Sequence, residues 1–212
     1  MTFPESLLTG YGQYVEKGFV RYKETHEHLA IYGQEPKAMV ISCCDSRVHV
    51  TSIFGADQGE FFIHRNIANL VPPYAPDSDH HGTSAAVEYA VSTLHVSHLI
   101  VLGHSGCGGV EGCYDMCSGD APELEKTTSF IGRWMDILRP GYERLPQGDR
   151  SERLRALEQE SVVISLDNLM GFPFVREAVE DGRLTLHGLW NHIGDGSLRY
   201  WDETRHSFEP LN

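Results

Sequence analysis

Apolar residues follow two rhythms along the chain. Short β-branched or aromatic runs at 38–42 (AMVIS), 60–64 (EFFIH), 98–102 (HLIVL) and 184–190 (LTLHGLW) predict strands, set off by glycine, proline or polar turns. Between them, spacings of three and four predict helices over 84–94, 108–117, 122–138, 151–160 and 162–180. Thr83 and Ser84 stand where helix 84–94 would be capped, and Gly171 with Pro173 interrupts the last helix. Segments 197–202 and 207–208 read as a closing hairpin. Leu7, Leu8, Tyr11, Tyr14, Val15, Phe19 and Tyr22 give the first thirty residues one or two amphipathic helices. Strands separated by helices mean an α/β fold: a mainly parallel central β-sheet flanked by helices, with an N-terminal helical arm and a C-terminal antiparallel hairpin.

With 212 residues and no repeat, low-complexity tract or long linker, the expectation is a single domain over 1–212, divided into arm 1–32, α/β core 33–195 and hairpin 196–212. Hydrophobic residues make up 41% and charged ones 22%, the balance of a soluble globular protein. Lys and Arg number 17 against 30 Asp and Glu, a net charge of -13 with no basic cluster, so neither nucleic acid nor an anionic membrane is expected as a partner. No segment reaches the ~18 consecutive apolar residues of a membrane span. The opening residues carry Glu5 and Glu16 and lack the apolar core of a secretory signal. The five cysteines, Cys43, Cys44, Cys107, Cys113 and Cys117, are an odd number for a disulfide framework and fit reduced thiols in a cytoplasmic setting. Of the twelve histidines most, among them His26, His28, His80, His81 and His206, sit in polar surroundings and read as solvated rings.

Three residues change this picture. Cys43 follows the first strand in CCDSRV, while His104 and Cys107 follow the third in GHSGCGGV. In an open parallel sheet the carboxyl ends of adjacent strands form the crevice where ligands bind, so the two segments would meet there. Two thiolates and an imidazole are a known catalytic zinc set that leaves a fourth tetrahedral position for water. Buried small cysteines with a loop histidine, or a redox pair of thiols, would use the same residues. Asp45 and Arg47 sharpen the metal reading. A carboxylate beside the first ligand can accept the hydrogen bond of a hydroxide on the metal, and a guanidinium two residues on can hold that carboxylate by paired charge-assisted bonds.

Cys43-Cys44-Asp45-Ser46-Arg47 with His104-Ser105-Gly106-Cys107 resembles the signature of the β-class carbonic anhydrases, Cys-x-Asp-Ser-Arg followed by His-x-x-Cys. HRNIANLVPPY at 64–74, GTSAAVEYAV at 82–91 and, more loosely, HGLWNHIGDG near the C-terminus are similar to the same family. The resemblance implies zinc (Zn2+) held by Cys43, His104 and Cys107, Asp45 and Arg47 as a catalytic dyad, and reversible hydration of carbon dioxide to bicarbonate and a proton by zinc-bound hydroxide. It implies plant-type substrate contacts at Gln34, Phe62, Ile67, Tyr89 and Gly108, with Ile67 in place of a frequent valine. It further implies self-association as a dimer or higher even oligomer, the arm wrapping a partner chain. Hydrolysis of carbonyl sulfide or carbon disulfide on the same site, and a non-enzymatic structural or redox zinc site, are the competing readings. Val40, Ser42 and Asn191 stand where some bacterial members hold an inhibitory bicarbonate, so that site is expected to be absent. Cys44, Cys113 and Cys117 are expected to be free thiols, and no single histidine stands out as a proton relay.

Overall fold

A computed structural model describes residues 3–77 and 81–211, and the expectation for His80 lies outside them. The chain opens with α1 (Glu5–Gln13), a wider helical turn at Tyr14–Phe19, and α2 (Lys23–Tyr32). None of these segments buries a residue, and Leu7, Leu8, Tyr11 and Tyr32 are each more than half exposed. Gly33, at φ 87, ends α2 in a backbone conformation that favours glycine.

Six strands then form one sheet: β1 (Ala38–Cys43), β2 (Phe61–Asn66), β3 (His98–His104), β4 (Thr185–Asn191), β5 (Leu198–Asp202) and β6 (Ser207–Pro210). Their spatial order is β2-β1-β3-β4-β5-β6, parallel from β2 to β4 and antiparallel through β5 and β6. β1 is buried at every position, as a continuous apolar run between two neighbours should be, whereas β2 at the sheet edge is only partly buried.

The helices are α3 (Val50–Phe54), α4 (Gly82–Glu88), α5 (Gly108–Ser118), α6 (Phe130–Met135), α7 (Arg139–Glu143), α8 (Arg150–Met170) and α9 (Pro173–Glu180). Met39, Ile41, Leu99 and Val101 pack on one side of the sheet with Val87, Val162, Leu169 and Val175 from α4, α8 and α9. The opposite side is covered more thinly, by Val48 and Val50 against Val40, Leu102 and Leu189. Among the described residues no helix is long and apolar enough to cross a membrane.

Three local expectations change. Helix 84–94 begins earlier, at Gly82, and no side chain caps it. The Thr83 hydroxyl is bonded instead to His64 Nε2 at 3.0 Å and Asn66 Nδ2 at 3.3 Å. Residues 122–129 are turns, and the helix waits for Ser129, whose hydroxyl accepts the Gly132 N–H at 3.0 Å and caps α6. The gap expected between helices 151–160 and 162–180 is absent, while the expected interruption at Gly171 and Pro173 is present. α8 runs unbroken through Ser161, whose hydroxyl turns back to the Glu158 carbonyl at 2.7 Å, and the break falls at Gly171 and Phe172 before Pro173. A capping box between Asp149 and Glu152 starts this long helix.

α8 lies so close to the sheet that a Cβ at Gly188 of β4 would stand 2.8 Å from Leu166 Cδ1 and 3.0 Å from Val162 Cγ1. Gly188→Ala should therefore overpack the core and cost about 1–3 kcal/mol, read from urea unfolding. A second prediction concerns pH. His98 Nδ1 and His187 Nε2 lie 3.1 Å apart across β3 and β4, and burial, then the neighbouring His98, lowers the pKa of His187. The neutral ring is the one that the fold favours, so this contribution is complete above about pH 6.5 and is lost as pH falls through the lower folded value. His187→Gln should flatten the fall in thermal midpoint between about pH 7 and about pH 5 relative to the parent chain.

Candidate active site

β1 and β3 are parallel neighbours, so their carboxyl ends meet at one edge of the sheet. Cys43 is the last residue of β1, His104 the last of β3, and Cys107 the N-cap of α5. All three are buried, at 3%, 1% and 2% exposure, and their donor atoms lie within 4.8 Å of one another. Glycine makes the approach possible. A Cβ at Gly103 would stand 2.7 Å from Val162 Cγ2, so β3 passes beneath α8 only without one. Gly106, at φ 64, turns the chain between His104 and Cys107.

The donor set fits a metal ion. His104 donates from Nδ1 to the Ser105 carbonyl at 3.0 Å, which leaves Nε2 as a lone-pair donor, buried and without a hydrogen-bond partner. The sulfurs of Cys43 and Cys107 are 3.8 Å apart. The Cys43 thiol is pushed down to about 4, chiefly by the hydrogen bond from Cys107, whose own thiol is pushed up by the same contact. Two thiolates this close repel. A divalent cation in the same place would neutralise both and accept the imidazole lone pair, held by Cys43, His104 and Cys107.

A brace of charged side chains surrounds this cluster. Asp45 Oδ1 accepts the Arg47 backbone N–H and Nε–H, both at 2.9 Å, and Oδ2 accepts Nη2–H at 2.7 Å. The same Nη2 donates to the Gly106 carbonyl at 2.8 Å, tying the turn after β1 to the loop after β3. Arg47 holds the Asp45 carboxyl well below the usual carboxylate range. Arg65 of β2 reaches across to the carbonyls of Cys43, Asp45 and Val48 at 2.9, 2.7 and 3.0 Å. From α8, Glu158 accepts the backbone N–H of Gly106 at 2.6 Å and that of Cys107 at 3.4 Å, while burial pushes its carboxyl up. Ser105 closes the loop onto β4, donating its N–H to the Asn191 carbonyl and accepting the Ile193 N–H, both at 2.9 Å.

The five expected substrate contacts divide into two groups. Ile67 directly follows Asn66, the register partner of Cys43, and packs against Gly109, while Gly108 opens α5 beside Cys107. Phe62 and Tyr89 face each other with ring centroids 5.8 Å apart, but Phe62 pairs with Met39, four positions before Cys43. That is about 13 Å along the strand. Gln34 is exposed and precedes β1, at the end of that strand opposite Cys43. Gln34, Phe62 and Tyr89 are thus remote from the ligands of their own chain. At the positions of the inhibitory site, Val40 and Ser42 are fully buried and Asn191 donates to the Ser197 carbonyl at 3.2 Å. Cys44, Cys113 and Cys117 are free.

Residues 38–198 match the family model described as carbonic anhydrase. Beta carbonic anhydrase 3 of Arabidopsis thaliana is 35% identical over 199 residues, covering 89% of this chain and 76% of that protein. The chain belongs to the β-class carbonic anhydrases. The solved structure of the β-carbonic anhydrase CcaA superposes with a TM-score of 0.84 at 27% identity, covering 98% of this chain and 92% of that one. A structure of tetrameric β-carbonic anhydrases from Sordaria macrospora gives a TM-score of 0.76 at 30% identity, covering 92% and 94%.

In this β-class site, Arg65 and Glu158 are the functional neighbours that sequence reasoning missed. Glu158 carries a signal, since it is a charged residue on the apolar face shared by Leu157, Ser161 and Val162. Arg65 carries none, because alternating polar residues are ordinary on an edge strand. Glu158→Ala should leave the fold intact yet weaken metal retention about 10–100-fold, and Cys107→Ser should abolish it, both read by metal analysis after dialysis against a chelator.

Proposed function

We propose that this carbonic anhydrase is a zinc enzyme that reversibly hydrates carbon dioxide to bicarbonate and a proton, with Cys43, His104 and Cys107 as the metal ligands. The observation that carries the reading is the buried Cys43, His104 and Cys107 cluster with Asp45 locked in a two-point bond to Arg47 beside it. Bound there, zinc would supply a Lewis acid that brings the pKa of water from 15.7 towards ~7. Asp45, kept ionised by Arg47, accepts the hydrogen bond of the attacking oxygen and turns its lone pair towards the carbon. Arg47 also holds the Gly106 carbonyl, so the acceptor and the ligand loop keep a fixed separation. Ile67 presents an apolar surface to carbon dioxide, and the Gly108 amide at the start of α5 offers a donor to the product oxygen. The five free thiols support a reducing, cytoplasmic location.

The substrate wall is completed by a second copy of the chain. Gln34, Phe62 and Tyr89 are exposed or half-buried and far from their own ligands, and the α1 and α2 arm presents a long unburied apolar surface. Such a surface fits an even oligomer in which each copy supplies these three residues to its partner.

Carbon dioxide hydration should appear on zinc loading and disappear on chelation. Asp45→Ala should lower kcat/KM by about a hundredfold or more while zinc stays bound. The shared wall makes a sharper prediction. Co-refolding Asp45→Ala chains with Gln34→Ala chains should restore activity that neither parent has, because one site of the mixed dimer is then complete. Mixed preparations no more active than the parents would place Gln34 at its own chain's site or outside catalysis.

A further inference from the structure

Hydration releases a proton beside a buried metal cluster, and a group must carry it to solvent. We propose that His64 is that relay, passing the proton outward past His81; the inference rests on the carbonic anhydrase reading above.

Register places His64 close to the ligands. In the parallel pair of β1 and β2, Ile41 faces His64 and Cys43 faces Asn66. His64 and Cys43 therefore project from the same face of the sheet, one strand across and two residues apart, with Cα atoms about 8 Å from each other. Between them, Asn66 donates from Nδ2 to the Leu70 carbonyl at 2.8 Å and to the Thr83 hydroxyl at 3.3 Å. Its Oδ1 is buried with no hydrogen-bond partner and can accept from a bridging water. The Thr83 hydroxyl lies 3.0 Å from His64 Nε2. Since Thr83 Oγ1 already accepts from Asn66, its single hydrogen is free to point at Nε2, which leaves the neutral imidazole protonated on Nδ1.

The outer end is open. A cavity of about 890 Å³ is lined by Cys44, Asn66 and Ile67 near the ligands, and by His64, Thr83 and His81 further out. His81 is half-buried and stands at the N-cap of α4. Burial lowers the pKa of His64, so its ring is neutral and ready to accept at neutral pH. His192 also lies near the ligand loop, but on the side of Glu158, in a separate cavity with Ser105 and Gly106, and its Nδ1 is 3.1 Å from Asp195.

The transfer balances without a further reagent. One O–H bond of the reacting water breaks, its electron pair stays on oxygen as that oxygen becomes part of bicarbonate, and the proton moves through the bridging water and the Thr83 hydroxyl to Nε2. The Nδ1 proton then leaves to His81 or to buffer, and ring rotation resets the neutral tautomer. Nothing is oxidised or reduced.

Zinc-loaded parent, His64→Ala, His64→Gln and Thr83→Val chains test this in carbon dioxide hydration at low and high buffer concentration. Loss of the relay should cut kcat roughly tenfold or more in dilute buffer, leave kcat/KM near that of the parent, and be reversed by added imidazole in both His64 variants. A second readout needs no turnover. In 15N-histidine NMR spectra, His64 should show the Nδ1–H tautomer, and Thr83→Val should shift its Nε2 resonance without altering zinc content. Unchanged kcat in dilute buffer, or kcat and kcat/KM falling together without imidazole rescue, would overturn the proposal. An inactive parent would instead refute the carbonic anhydrase reading, so the two failures are distinct.

Discussion

The site depends on one approach: two sulfurs 3.8 Å apart, one at the end of β1 and the other just beyond the end of neighbouring β3, at the N-cap of α5. Parallel pairing forces a long crossover between β1 and β3, so the two thiols come from segments that share nothing locally. Their separation is set by the spacing of β1 and β3 together with the Gly106 turn that carries the chain from His104 to Cys107. The Cys107 thiol is pushed up by its contact with Cys43, and His104 Nε2 is buried with no partner. The three donors form a group that could hold a metal ion.

A cluster able to hold a metal ion needs surrounding loops that are rigid without filling the space among its donors. Three carbonyls of the first loop converge on Arg65, two amides of the second on Glu158, and Arg47 bridges the two loops through Asp45 and Gly106. Each charged group satisfies backbone atoms that would otherwise be left unpaired close to the core. Glycines at 103, 106 and 109 allow the close packing that the brace needs, since Cβ atoms at the first and last would collide with Val162 and Ile67. Rigidity at the metal is therefore distributed among strands, loops and one long helix.

The strands and their parallel order were legible because parallel strands leave continuous β-branched runs, as in AMVIS and HLIVL. The Cys43, His104 and Cys107 cluster and the Asp45 and Arg47 pair were legible because they lie in short motifs at or just beyond strand ends. Helical detail was less so. Residues 122–129 have helical spacing but become turns because the Ser129 hydroxyl caps a later start, and Thr83 looks like a cap but is engaged across the chain by His64. Arg65 was invisible as a site residue and Glu158 stood out only as a charge on a buried helix face, because both bind backbone atoms of distant segments. No spacing in the chain encodes such a contact.

The position of Gln34, Phe62 and Tyr89 shows a limit of a different kind. A motif names residues that serve one site, but it does not say that they serve it in the same chain. β1 is six residues long, so Gln34 before it and Cys43 at its end are separated by about the length of a strand, and no side chain spans that distance. The geometry that gathers Cys43, His104 and Cys107 at one end of the strand thereby keeps three of the five expected substrate contacts away from them. The arm buries none of its own residues and so presents an apolar surface beyond the sheet. On the proposed reading a second copy supplies Gln34, Phe62 and Tyr89, so mutations in the arm should act on turnover while leaving the Cys43, His104 and Cys107 cluster whole.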